Sequence, residues 1–203
     1  MKKYGIGGNN DNCPVYGVGG DASTSAVYGV GGIDNGIITY DSSSFSPSDL
    51  ANLELWTKFN SGITVTGSGV SQWDDISGNG NHLKQGTDTN RPSKEADGSI
   101  LFDGVDNFLK ADAFTFSQPE TIYLLFKQVA WTSNDRVFDG SANNTGVLFQ
   151  TGTTPSMSIY AGATLAEVDL TVGSYGIIAT VFNSTSSVLQ VNNETPVTGN
   201  AGT

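Results

Sequence analysis

The chain has 203 residues, and 9 Lys and Arg against 20 Asp and Glu give it a formal net charge of −11. That balance excludes a basic face for a nucleic-acid backbone and a polybasic membrane-surface segment, and no apolar run approaches the ~18 residues of a membrane-spanning helix. A single cysteine, Cys13, excludes an intramolecular disulfide and a closed thiolate zinc site.

Ten of the 26 glycines lie in the first 36 residues, in three boxes of one register: Tyr4-Gly5-Ile6-Gly7-Gly8, Tyr16-Gly17-Val18-Gly19-Gly20 and Tyr28-Gly29-Val30-Gly31-Gly32. Each twelve-residue unit carries one aromatic, one β-branched residue and a flexible bend, too little apolar surface to make a core of its own. Tyr4, Tyr16 and Tyr28 read as pegs that dock into a partner, or pair between chains of a symmetric homo-oligomer, and order only on assembly. The competing reading is a Gly-rich leader whose repeat records duplication alone. Docking is preferred because the aromatic keeps one place in every unit. Residues 1–41 are therefore assigned to an assembly or anchoring arm, and residues 42–203 to a folded domain. Met1-Lys2-Lys3 opens like an export signal, but the Gly/Asn-rich run from Gly5 to Asn12 follows where an apolar stretch belongs.

Ser46-Pro47-Ser48-Asp49 supplies an N-cap, a proline at the first helical position and an acid in the first turn, which predicts a short helix over Pro47–Leu53. Beyond it, short β-like runs alternate with Gly, Asn, Asp and Ser, and no long helical period occurs. Strands are predicted at Leu53–Lys58, Val70–Trp73, Ile100–Asp103, Thr121–Val129, Arg136–Asp139, Gly146–Gln150, Ser156–Tyr160, Tyr175–Phe182 and Val188–Val191. The runs Ile122–Phe126 and Ile177–Phe182 are apolar at successive positions and predict central strands covered on both faces, whereas Ser156–Tyr160 alternates and predicts one wet face. The pattern is that of an all-β, antiparallel two-layer sandwich or barrel.

Five pieces carry a more specific signal: Leu53-Glu54-Leu55-Trp56, Val70-Ser71-Gln72-Trp73-Asp74-Asp75, Ser77-Gly78-Asn79-Gly80-Asn81-His82, Asn90-Arg91-Pro92 and Phe102-Asp103-Gly104-Val105-Asp106-Asn107-Phe108-Leu109. Their order and spacing resemble the laminin-G-like, concanavalin A-like lectin and glucanase domains, over about residues 45–203. The resemblance implies a jelly-roll sandwich of two antiparallel sheets. Such domains normally continue with two further strands that close the sandwich, so the domain is expected either to be a shortened version or to have its open edge covered by a neighbouring subunit.

Within these pieces, Trp56 and Trp73 read as core residues, and Ser77–Asn81 as a tight turn against which His82 caps or packs. His82 is the one histidine, and without a sharp nucleophile turn it makes no triad. Arg91 reads as a partner for a carboxylate or for backbone carbonyls. Asp103, Asp106 and Asp139 stand at strand ends, where oxygen ligands for Ca²⁺ converge in some laminin-G relatives; the competing reading is ordinary Asp-Gly turn chemistry. The five glutamates lack the alternate spacing that the glucanases of this fold use on one strand, and two arginines are too few for a lyase cluster.

No enzyme and no obligatory cofactor is expected. Domains that this chain resembles are common in phage appendages and in secreted bacterial proteins, and the missing export signal favours a virion component of a bacteriophage, made in the host cytoplasm, anchored by its arm to other virion proteins and displaying a lectin-like domain toward host surface glycans. The alternative is a secreted, extracellular bacterial carbohydrate-binding or adhesion module. For a glycan site, an aromatic platform beside amides is required, and Trp131 with Asn134 is the candidate; the alternative is that Trp131 closes one end of the core.

Overall fold

A computed structural model describes residues 33–34, 37–38, 46–115, 117–140, 146–150, 156–168 and 170–203. These divide between two units, Met1–Leu53 and Glu54–Thr203. Tyr4, Tyr16 and Tyr28 lie outside the described residues.

In the first unit, β1 (Ile33–Asp34) pairs antiparallel with β2 (Ile37–Ile38). The helix predicted over Pro47–Leu53 is a single 3-10 turn, Pro47–Asp49. Its start is as the sequence requires: Ser46 Oγ accepts from the Ser48 N–H at 3.4 Å, and Asp49 Oδ2 accepts from the Ser46 N–H at 2.9 Å. Its stop is Leu50, whose backbone turns extended (φ −75°, ψ 125°) while its N–H closes the turn on the Pro47 carbonyl at 3.1 Å.

The second unit is all-β and antiparallel, with no α-helix among the described residues. Strands β3 (Ile63–Thr66), β4 (Gly69–Trp73) and β5 (Leu83–Lys84) form one three-stranded sheet, and β6 (Ser93–Lys94) pairs with β7 (Ile100–Leu101). Two four-stranded sheets follow. One has the order β12-β11-β10-β9, from β9 (Arg136–Asp139), β10 (Val147–Gln150), β11 (Ser156–Tyr160) and β12 (Thr164–Val168). The other has the order β15-β14-β13-β8, from β8 (Glu120–Lys127), β13 (Tyr175–Phe182), β14 (Ser187–Val191) and β15 (Val197–Gly199).

These two sheets share one apolar core: Leu148, Met157, Ile159 and Leu165 from the first meet Ile178, Phe182, Leu189 and Val191 from the second. Trp56 and Trp73 are half-buried and stand outside that cluster. The Trp73 indole N–H is shared between the carbonyls of Lys58 and Ser61, each at 3.1 Å.

Four expectations are corrected. No strand forms over Leu53–Lys58, because Trp56 spends its N–H on the Asp75 carboxylate and its carbonyl on Ile76 rather than on a ladder. Strands β3, β5, β6, β12 and β15 were absent from the prediction. On β11, Ser158, on the face expected to be wet, is wholly buried. Strand β8 is the outermost strand of its sheet among the described residues, and one of its faces is open, where coverage on both sides was expected.

Candidate functional site

The glycan candidate, Trp131, sits in the connection between β8 and β9, and that connection is built around one side chain. Gln150 Oε1 accepts from the Thr132 N–H at 3.1 Å and from Gln128 Nε2 at 2.6 Å. The Gln150 backbone adds two bonds, accepting from Asn134 N–H at 2.6 Å and donating to the Asp135 carbonyl at 2.9 Å. Because a backbone N–H can only donate, the Gln150 oxygen must face Thr132, and Gln128 must then present its amide nitrogen to it. Gln128 Oε1 is left buried and without a partner, as is the Trp131 indole N–H. The Trp131 ring is half-buried beside exposed Thr132, Ser133 and Asn134, and Asn134 holds a left-handed φ of +70°. The corner thus brings Trp131 and Asn134 together on a pinned backbone, while the indole nitrogen points inward.

The three acids named as calcium candidates stand in different surroundings. Asp103 Oδ1 accepts from the N–H groups of Val105, Asp106 and Asn107 at 2.9–3.3 Å, which folds the loop onto its own carboxylate. Those bonds, Val105 first, hold its carboxyl below the usual range. Asp106 is exposed, and Asp139 is ion-paired with Arg136 three residues before it. Among the described residues, no three His, Cys, Asp or Glu side chains converge as a metal-holding group.

The Ser77–Asn81 turn is organised by Asp75. Its carboxylate is only 6% exposed and accepts four hydrogen bonds: Trp56 N–H at 2.9 Å, Ser77 N–H and Ser77 O–H at 2.8 Å each, and Asn81 N–H at 2.9 Å. Gly78 and Gly80, at φ of +102° and +77°, supply the left-handed turns this wrapping needs. His82 Nδ1 accepts the Asp75 N–H at 3.0 Å, so it carries a lone pair there, and its 3.9 Å approach to Asp74 Oδ1 is no hydrogen-bonded ion pair. His82 is therefore a structural acceptor. Arg91 is likewise consumed: its guanidinium, with the side chain 11% exposed, donates to the carbonyls of Gln85, Thr66 and Gly86 and pairs with Asp88.

The exposed face of β8 and β13 was missed by sequence reasoning. Tyr123 and Leu125 on β8, and Tyr175 and Ile177 on β13, are each about half exposed or more, the largest being Tyr123 at 70%. The register places Tyr175 opposite Lys127 and Ile177 opposite Leu125, so these side chains are neighbours on one surface. At its end, the Lys127 ammonium lies 5.0 Å from the Tyr175 ring centre, and the Tyr175 hydroxyl donates to Asp97 at 3.2 Å. Beside it lies a shallow cleft of about 380 Å³ lined by Glu95, Asp97, Ser99, Leu101, Lys127 and Val129. The signal was present in the doubly apolar pattern of both strands, but that pattern reads equally as burial on two sides or as one side awaiting a partner.

No family model matches the chain, and no curated protein or solved structure matches it.

Proposed function

We propose that the protein acts by binding and not by catalysis: a non-enzymatic structural component of a bacteriophage virion, anchored to other virion proteins by residues 1–41 and displaying a concanavalin A-like jelly-roll domain that contacts host glycans at the Trp131 corner. In this reading it is made in the host cytoplasm, needs no cofactor and enters no membrane. The observation that carries the glycan contact is the pinned corner itself. The accessible part of a half-buried indole would meet the C–H face of a sugar ring, and exposed Thr132, Ser133 and Asn134 stand beside it to exchange hydrogen bonds with hydroxyl groups. Because Gln150 already holds the backbone from both sides, little ordering remains to be done on binding. The three tyrosine boxes and the order of the five laminin-G-like pieces support the virion and fold parts of the reading.

Two measurements test it. The protein should co-purify with intact virus particles at a fixed number of copies per particle; recovery only as free protein from culture supernatant would favour the adhesion-module alternative. On a glycan array, the wild type should bind a restricted set of sugars, and Trp131→Ala should weaken that binding at least tenfold with an unchanged circular dichroism spectrum. Binding that survives this substitution moves the site elsewhere.

A further inference from the structure

Strand β8 ends its sheet, and the direction of its unused backbone groups follows from its neighbours. Ile177 on β13 takes its carbonyl bond from Asn192 N–H at 2.7 Å and gives its N–H to Asn192 Oδ1 at 3.0 Å, so its backbone faces β14. Antiparallel strands alternate the side to which successive residues direct their N–H and C=O. Ile178 and Thr180 therefore face β8, and through the register Ile178↔Leu124 and Thr180↔Ile122 the even-numbered residues of β8 face back. The Gln128 carbonyl agrees, since it accepts from Gly173 N–H on the same side. Thr121, Tyr123, Leu125 and Lys127 are left directing their backbone groups away from the sheet, and among the described residues no backbone group pairs with them there.

That open ladder is self-complementary. A two-fold axis at Leu124 sets β8 antiparallel to the same strand of a second copy, with Tyr123 opposite Leu125, and Thr121 opposite Lys127. Every outward backbone group then meets another, and Pro119, which has no N–H, falls beyond the pairing. On the open face, Tyr123 and Leu125 of each copy join the exposed Ile177 and Tyr175 into one apolar surface. On the core face, Ile122 meets Phe126 and Leu124 meets its own copy. The polar residues Glu120, Thr121, Lys127 and Gln128 fall at the two ends, again against polar residues. A register shifted by two residues either way sets Thr121 or Lys127 against an unpaired end.

The geometry points to a second copy of this chain as the occupant of the β8 edge, joined by strand addition into a continuous sheet of eight strands, four from each copy. An unpaired edge flanked by an exposed apolar face is otherwise an aggregation hazard. The interface is independent of the glycan corner and of the N-terminal repeats.

Light scattering on the full chain after size-exclusion chromatography, over a concentration series, tests it. The wild type should run at an even multiple of the chain mass. Tyr123→Glu, at an exposed position, brings two like charges together across the axis and should halve that mass with an unchanged circular dichroism spectrum. Ile177→Glu lies on the same face but off the edge and should leave the mass as it was. In a Cys13→Ser background, Tyr123→Cys mixed with Leu125→Cys should form more disulfide-linked dimer under mild oxidation than either alone. A monomer at every concentration overturns the proposal, as does a mass that Tyr123→Glu leaves unchanged. Equal dissociation by Ile177→Glu also overturns it, because that result belongs to face-to-face packing.

Discussion

Replacing Asp75 with asparagine keeps the shape of the side chain and removes its charge and one acceptor oxygen. In the wild type, one carboxylate oxygen accepts from the Trp56 and Ser77 N–H groups, and the other from the Ser77 hydroxyl and the Asn81 N–H. An amide nitrogen in either place faces two donors with no lone pair to offer. Losing two hydrogen bonds to a charged acceptor, each worth about 1.5–3 kcal/mol, costs about 3 kcal/mol at the lower end of that range. With roughly 2–4 °C of melting temperature per kcal/mol for a domain of this size, the midpoint should fall by roughly 6–12 °C.

The pH dependence gives an independent signature. Burial, the largest single influence on the Asp75 carboxyl, pushes it up, but the hydrogen bonds from Trp56, Ser77 and Asn81 together outweigh it and hold it below its ordinary value. A carboxyl depressed in the folded state contributes stability above its unfolded pKa, near 4, and loses it as pH falls through the folded value. The gap between wild type and Asp75→Asn should therefore be full at pH 7 and close progressively below about pH 4. Urea denaturation followed by circular dichroism, at pH 7 and at descending pH, measures both. A variant within about 0.5 kcal/mol of wild type at pH 7, or a gap that persists at low pH, would refute the argument that this carboxylate organises the turn.

Arg91→Lys should destabilise by about 1 kcal/mol, because a lysine cannot reach the Gln85, Thr66 and Gly86 carbonyls together, and the part-buried bond to Gln85 is the one water replaces least well; chemical denaturation checks it, and an unchanged midpoint counts against a structural role. Millimolar calcium should neither raise the melting temperature nor release heat in calorimetric titration, since the Asp103 carboxylate is engaged by its own loop and Asp139 by Arg136. A saturable heat abolished by Asp103→Asn would restore the metal reading.

Local rules carry far in this chain. The capping box at Ser46 and Asp49, the Gly78 and Gly80 turns, His82 as an acceptor, and most strands from β8 onward follow from residue chemistry within a few positions. The all-β class follows from the same short runs and turn residues. The Trp131 corner was legible only in part: the aromatic and its amide neighbour are visible in sequence, whereas the Gln150 side chain that pins them comes from a strand some twenty positions away.

What tertiary structure alone decided is which surfaces are covered. A strand apolar at every position is the same string whether both faces are packed or one is left open, so Ile122–Phe126 by itself does not reveal that Tyr123 and Leu125 face solvent. An alternating strand is likewise no guide to solvent, and Ser158 is buried although its pattern reads as half wet. Period and turn chemistry are written in residues a few positions apart. Coverage depends on which distant strand lies beside, above or below, and in β8 the register with β13 leaves one edge and one face without a partner among the described residues.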